Sequence, residues 1–313
     1  VKCDNSSNRM LRLGRENREM MTEIKKLACL LLLLGALVAA DDKTVERSAD
    51  TNTVKMPVQN ADDASDAVAD KESKTKSGEQ PDEDPNKGLV KLSPKEKIWV
   101  HPGKKWIVVD GRVCLREGQL EMFAVPYETK THEAIVSIDC HSRFVHAALL
   151  AMGAKAGTPV RFRPKYTPAH GSVVDIFVLW KDKDGKQQIA AAQEWMRDER
   201  KKKTLEYPWV FGGSGFFKDE ADENRYYADG GEMVCVANFA VAMLDLPIES
   251  DKANAALLYV ANTEKIPPMD TPIRMVLVPR KGVVTKADAK DVPKRLAKDA
   301  PIVKELAKLT LPW

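Results

Sequence analysis

Val173-Val174-Asp175-Ile176-Phe177-Val178-Leu179-Trp180, then Asp184-Gly185, then Gln188-Ile189-Ala190-Ala191-Ala192 form the stretch on which the fold class turns. The first run is rich in the β-branched and aromatic residues that fit a pleated surface. An Asp-Gly pair between two such runs supplies the positive φ angles of a tight hairpin turn. The stretch therefore predicts two antiparallel strands and the turn that joins them.

Runs of the same texture lie on both sides. Upstream are Ile98-Trp99-Val100, Trp106-Ile107-Val108-Val109 and Val113-Cys114-Leu115, with Asp110-Gly111 predicting a second hairpin between the last two. Leu120–Val125 and Ala134–Ile138 continue the strands. Downstream, Tyr207–Phe217, Arg225–Ala228 and Glu232–Val236 extend them, Asp229-Gly230-Gly231 turns the last pair, and Arg274–Val278 ends the series. One helix interrupts: after Ser142 as N-cap, Phe144, Val145, Ala148, Leu149 and Met152 share a helical face, and Gly153 stops it. Lys252–Val260 is helical or leads into a strand, and Ala287–Leu309 is Lys/Ala/Leu-rich but broken by Pro293 and Pro301. Strands that do not alternate with helices exclude a doubly wound parallel sheet. The expected fold is α+β: a strand-dominated antiparallel sheet domain over residues 89–280, with one or two short helices and a short helical C-terminal appendage over 281–313.

The region before this domain has a different composition. Leu27–Ala40 is an unbroken apolar and small-residue run, preceded by Lys25-Lys26 and followed by Asp41-Asp42. It is shorter than the roughly 20 residues of a spanning helix, and it has the basic flank, apolar middle and small-residue end of a signal peptide. Residues 1–40 are accordingly expected to direct export to the periplasm or the extracellular space, with cleavage near Ala40 and no membrane span afterwards. Met20-Met21 is the more natural start, so residues 1–20 read as an over-extended beginning. Residues 41–88 carry 13 acidic and 7 basic side chains and no aromatic ring. Such a segment cannot bury enough apolar surface to offset its chain entropy, and it reads as a disordered acidic linker.

Across the whole chain, 49 Lys+Arg stand against 46 Asp+Glu, a formal net charge of +3. Nothing in that balance is the basic signature of a nucleic-acid binder. No Walker loop or dinucleotide fingerprint is present.

Several stretches together resemble the YdjY-domain family of exported bacterial proteins: Val113-Cys114-Leu115-Arg116-Glu117-Gly118, Leu120-Glu121-Met122-Phe123, His132-Glu133, His146–Gly153, Tyr207–Gly215 and Ala228-Asp229-Gly230-Gly231-Glu232. The resemblance spans about Leu89–Pro279. It implies an extracytoplasmic domain without an established activity. Some family members carry a ferredoxin-like label, but the five cysteines here, Cys3, Cys29, Cys114, Cys140 and Cys235, contain no Cys-x-x-Cys. An iron–sulfur cluster is not expected, and the sequence names no other cofactor.

The chemistry-bearing residues each allow two readings. Cys114, Cys140 and Cys235 lie in or beside apolar strands, as buried thiols, as one disulfide plus a free thiol, or as reactive or metal-binding groups. His132, His141 and His146 cluster along the chain with Glu133 and Cys140 beside them, and histidine is both a frequent metal ligand and a general base. His132, Glu133 and His146 are the catalytic candidates, and His132, Cys140 and His146 the metal candidates; otherwise they are ordinary polar side chains. No His-Glu-x-x-His spacing occurs, so a shared site would have to be made by tertiary folding. Gly212-Gly213-Ser214-Gly215 fails the Gly-x-Ser-x-Gly pattern and reads as an anion cradle or a close backbone crossing. Trp195, Trp209 and Phe216-Phe217 read as a stacking surface for a ligand such as a glycan, or as core. The expected function is a binding or interaction module for an unknown ligand or envelope protein. The alternative is a metal-dependent or redox enzyme using His132, Glu133 and His146.

Overall fold

A computed structural model of the chain describes residues 86–250, 258–282 and 293–313. The expected signal segment, most of the expected linker, residues 252–257 of the second helix candidate and residues 283–292 of the expected C-terminal appendage lie outside them. Sixteen strands are formed: β1 (Val90–Lys91), β2 (Ile98–His101), β3 (Trp106–Val113), β4 (Met122–Pro126), β5 (Ala134–Ile138), β6 (Val173–Lys181), β7 (Gln187–Ala191) and β8 (Met196–Asp198), then β9 (Lys203–Thr204), β10 (Trp209–Phe211), β11 (Phe216–Lys218), β12 (Asn224–Tyr226), β13 (Val234–Cys235), β14 (Leu244–Asp245), β15 (Tyr259–Ala261) and β16 (Pro272–Pro279). Among the described residues two α-helices accompany them, α1 (Ser142–Ala151) and α2 (Pro301–Leu306). The domain is thus α+β and strand-dominated with two short helices.

The main sheet closes on itself. Its order runs β3, β16, β6, β10, β14, β13, β4, β5, and β5 pairs back onto β3. Closure removes the free edges of these eight strands. The sheet is mixed rather than wholly antiparallel, because β4 runs parallel to β5 and β13 parallel to β14. The reason is local for the first pair: residues 127–133 carry the chain back along β4, through a 3-10 turn at Thr131–Glu133, before β5 begins in the same direction.

Asp184-Gly185 turns a hairpin, with Trp180 opposite Gln188 and Phe177 opposite Ala191. Asp110-Gly111 does not. β3 passes straight through it, and the pair lies opposite Arg274 and Ile273 of β16. Asp110 is buried because it holds Arg274 in a two-pronged ion pair, Nε to Oδ1 at 2.7 Å and Nη2 to Oδ2 at 3.0 Å. Gly111 is there because a Cβ would meet the Ser137 carbonyl oxygen at 2.3 Å. Its role is close approach of β5, not a turn. Two further expectations are corrected. Tyr207–Phe217 splits into β10 in the barrel and β11 in a separate ribbon, since Gly213 at φ 95° and Ser214 at φ 56° redirect the chain. Asp229-Gly230-Gly231 lies at a 3-10 turn, Tyr227–Gly230, and β12 pairs with β11 instead of β13.

Alternate residues of the barrel strands face opposite ways. Trp106, Val108, Phe177, Leu179, Val276 and Val278 form an outer cluster that receives Leu306, Leu309 and Leu311 from the C-terminal segment. Ile107, Val109, Val178, Met275 and Leu277 point to the opposite face and are fully buried. Arg274 ties the two layers together, for its Nη1 donates to the Thr310 carbonyl at 2.9 Å.

α1 buries Val145, Ala148, Leu149 and Met152, while Phe144 is half-buried. Its N-cap is His141, one residue before the expected Ser142, whose hydroxyl instead donates to the Ala228 carbonyl at 2.8 Å. The first turn is capped from a distance. Asp229 accepts the Arg143 backbone N–H at 3.1 Å and pairs with its Nε at 2.7 Å.

Candidate functional site

One edge of β3 serves two partners. β2 pairs with its first half, from Ile98 opposite Val109 to His101 opposite Trp106, and β5 with its last residues, from Gly111 opposite Ile138 to Val113 opposite Val136. At the fork three backbone bonds close the gap: Asp110 N–H to Lys97 O, Lys97 N–H to Asp139 O and Asp139 N–H to Asp110 O, at 3.0–3.1 Å. The chain just before β2 and the chain just after β5 are thereby held side by side. Between them and the end of β4 opens a cleft of about 430 Å³, lined by Glu96, Lys97, Arg112, Tyr127, Asp139 and His141 among others.

The polar groups of this cleft are organised in two sets. Glu96 uses both oxygens on His141, Oε1 on the ring Nδ1 at 2.9 Å and Oε2 on the backbone N–H at 3.0 Å. This fixes the imidazole with Nδ1 as the donor and Nε2 directed elsewhere. Asp139 also uses both oxygens, accepting from Lys97 Nζ at 2.7 Å and Arg112 Nη2 at 3.3 Å. The Arg112 guanidinium lies over the Tyr127 ring, 5.6 Å from its centre.

The hydrogen bond that His141 donates to Glu96 raises the His141 pKa above its ordinary value of 6.5, against burial and the Arg143 charge; Asp229 adds to the rise. Burial pushes Glu96 up, but His141 outweighs it and leaves the carboxyl below 4.5. The pair therefore contributes stability that is lost as pH rises through the His141 value and lost again as pH falls through that of Glu96. An NMR titration of the His141 ring should show a midpoint above 6.5, and Glu96→Gln should bring it down. An unchanged midpoint in the variant would refute the pairing.

The residues singled out in the sequence fall in several places. His132 is 76% exposed on the 3-10 turn, with Nε2 3.6 Å from Glu133 Oε1. The Glu133 carbonyl accepts the backbone N–H of buried Glu121 at 3.2 Å, and the Glu121 pKa is raised by burial and by Glu133 and Glu232, with Lys130 opposing. His146 lies on α1, its Nδ1 2.8 Å from the Tyr226 hydroxyl and its ring edge-on to Phe211 at 4.9 Å. Burial lowers its pKa. Among the described residues no contact joins His146 to His132 or Glu133, and no group of three His, Cys, Asp or Glu side chains is arranged to hold a metal ion.

Cys114, Cys140 and Cys235 are all free thiols. Burial pushes the Cys114 thiol up to about 12, and burial raises Cys140 and Cys235 well above 9.0, so none is a ready thiolate. The Gly213 and Ser214 backbone N–H groups donate to the Met243 and Ala242 carbonyls, a close backbone crossing. Trp195 and Trp209 are fully buried, whereas Phe216 is 66% exposed on its ribbon.

A family model for the YdjY domain matches residues 98–278, from the first residue of β2 to the penultimate residue of β16. The chain belongs to the YdjY-domain family. No curated protein and no solved structure matches it. The matched span includes every strand of the barrel and both arms of the fork except the residues just before Ile98. Within the YdjY domain, His141 was visible as one of three neighbouring histidines. Glu96, Lys97, Arg112, Tyr127 and Asp139 gave no local signal, since they come from four separate stretches that only barrel closure brings together. No helix among the described residues is long and apolar enough to cross a membrane.

Proposed function

We propose that this YdjY domain is an exported extracytoplasmic binding module that receives its ligand, or a segment of an envelope partner, in the fork cleft. The observation that carries the reading is the pre-set geometry of a 430 Å³ concavity, with Glu96 and Asp139 each engaged through both oxygens before any ligand arrives. Groups already held in place lose less freedom on binding. Concave sites with a few convergent polar groups and shifted titrations are where ligands bind by default. Export is supported by the Lys25-Lys26 flank, the Leu27–Ala40 run and the small residues before Asp41.

Two measurements test the proposal. N-terminal sequencing of the mature protein from the cell envelope should begin just after Ala40, and recovery of Leu27–Ala40 in soluble mature chain would refute export. A small-molecule fragment library followed by NMR should shift signals of Arg112, Tyr127 and His141. Hits confined to other surfaces would remove the cleft as the binding site.

A further inference from the structure

We infer that the fork cleft takes an anionic group, a carboxylate or a phosphate, on Lys97, Arg112 and His141; this rests on the cleft being the binding site. The argument is a count of hydrogen-bonding capacity. An ammonium carries three donors and a guanidinium five, neither has an acceptor, and an imidazole that donates through Nδ1 adds Nε2–H as a second donor in its protonated form. Lys97 spends one donor, on Asp139, and Arg112 spends one, on the same carboxylate. His141 spends Nδ1 on Glu96.

The acceptors are in the opposite state. Both oxygens of Glu96 and both of Asp139 are occupied by protein donors. What Lys97 and Arg112 still offer is N–H groups, and what would satisfy them is an acceptor-rich ligand; Glu128, also in the lining, adds acceptors of its own. Two cations on one carboxylate also leave the Lys97–Arg112–Asp139 set with a positive excess. Lys97 and Arg112 are 57% and 45% exposed, so their bonds to Asp139 are of the weak surface kind that an incoming anion can share or displace.

Other charged groups bound the pose. Glu128 lies on the rim beside Tyr127, in the left-handed region at φ 61°, and Lys95 lies before Glu96. The Glu128 carboxylate repels an anion in its own neighbourhood, which narrows where the anionic group can sit. The N-terminus of α1 is not the anion site, because Asp229 already fills it. Tyr127, 53% exposed, supplies apolar surface for the rest of the ligand.

The test uses the domain with inorganic phosphate, acetate and, as a cation of similar size, tetramethylammonium, each followed by NMR of the arginine Nε–H and histidine ring signals. Phosphate, acetate or both should shift Arg112 and His141 saturably, and the relative strength of the two anions identifies the preferred chemistry. Tetramethylammonium should not. Lys97→Ala with Arg112→Gln should weaken the anion about tenfold, as expected for losing charge-assisted bonds. Asp139→Asn should tighten it several-fold by releasing both cations, an outcome that a purely structural Lys97–Asp139–Arg112 cluster would not give. Failure of Asp139→Asn to tighten binding, or saturable shifts from tetramethylammonium alone, overturns the inference. Neutral fragments binding at Tyr127 with no response to either anion would reject the anionic ligand while leaving the binding module standing. Silence from both would reject the two together.

Discussion

Asp110→Ala should lower the folding free energy by about 3–5 kcal/mol, the usual cost of leaving one partner of a buried ion pair unpaired. Asp110 and Arg274 are 5% and 4% exposed, so solvent screens the pair little. The variant strands a guanidinium beneath Trp99 and Trp313, whose ring centres lie 5.3 and 6.0 Å from it. It also loosens the C-terminal segment, because the orientation that lets Arg274 donate to the Thr310 carbonyl is fixed by Asp110. Urea unfolding gives the number. Asp110→Ala combined with Arg274→Met should recover much of the loss, since a buried ion pair replaced by apolar groups is often close to neutral. A loss below about 1 kcal/mol in the single variant would mean that water reaches the pair and that the outer layer is less closed than its packing indicates.

The same pair explains how much of the fold could be read from sequence. Asp110-Gly111 and Asp184-Gly185 are identical dipeptides between similar apolar runs, yet only the second turns the chain. Around Asp184-Gly185 the neighbours are Lys, Asp and Gln in water, and local turn chemistry decides. At Asp110 the deciding partner is Arg274, 164 residues away in sequence, and at Gly111 it is the backbone of Ser137. Strand propensity identified β2, β5, β6 and β16 because each is built on a run of apolar residues, and β7 because the Asp184-Gly185 turn sets it against β6. Barrel closure was not legible, since no local pattern records that β5 returns to β3. The cleft shares that limit. His141 could be noticed as a histidine among histidines, whereas Glu96 sat in a charged Lys95-Glu96-Lys97 stretch that looks like any solvated turn. The α1 cap shows the same effect on a smaller scale: Ser142 has the right side chain, but its hydroxyl is claimed by Ala228, and the capping carboxylate comes from Asp229.

Asp245 carries the strongest pH dependence expected of this domain. It is fully buried in β14 and held by neutral donors alone: the Asn238 side-chain amide at 2.9 Å, the Leu246 N–H at 2.7 Å and the Phe239 N–H at 3.3 Å. Burial raises its pKa from 3.8 to about 7 and the three hydrogen bonds only partly offset the rise. Since the folded value lies above the unfolded one, folding takes up a proton between those two pH values. Stability from this group is complete below about pH 4, declines as pH rises toward 7 and is level beyond. A shift of this size corresponds to roughly 4 kcal/mol across that window, at about 1.4 kcal/mol per pH unit. Asn238 links Asp245 outward, because its Oδ1 accepts from Tyr166 and from the Ser250 N–H. Asp245→Asn keeps an acceptor for Asn238 and Leu246 but has no proton to lose. Its stability should change less steeply than that of the native chain from pH 4 to 7, whatever its absolute level. The decisive quantity is the difference between the two stability–pH curves, because Glu121 and the Glu96–His141 pair titrate in both proteins and cancel. Parallel curves would show that Asp245 keeps its charge in the folded state, and that three N–H donors suffice to hold a bare carboxylate inside the sheet.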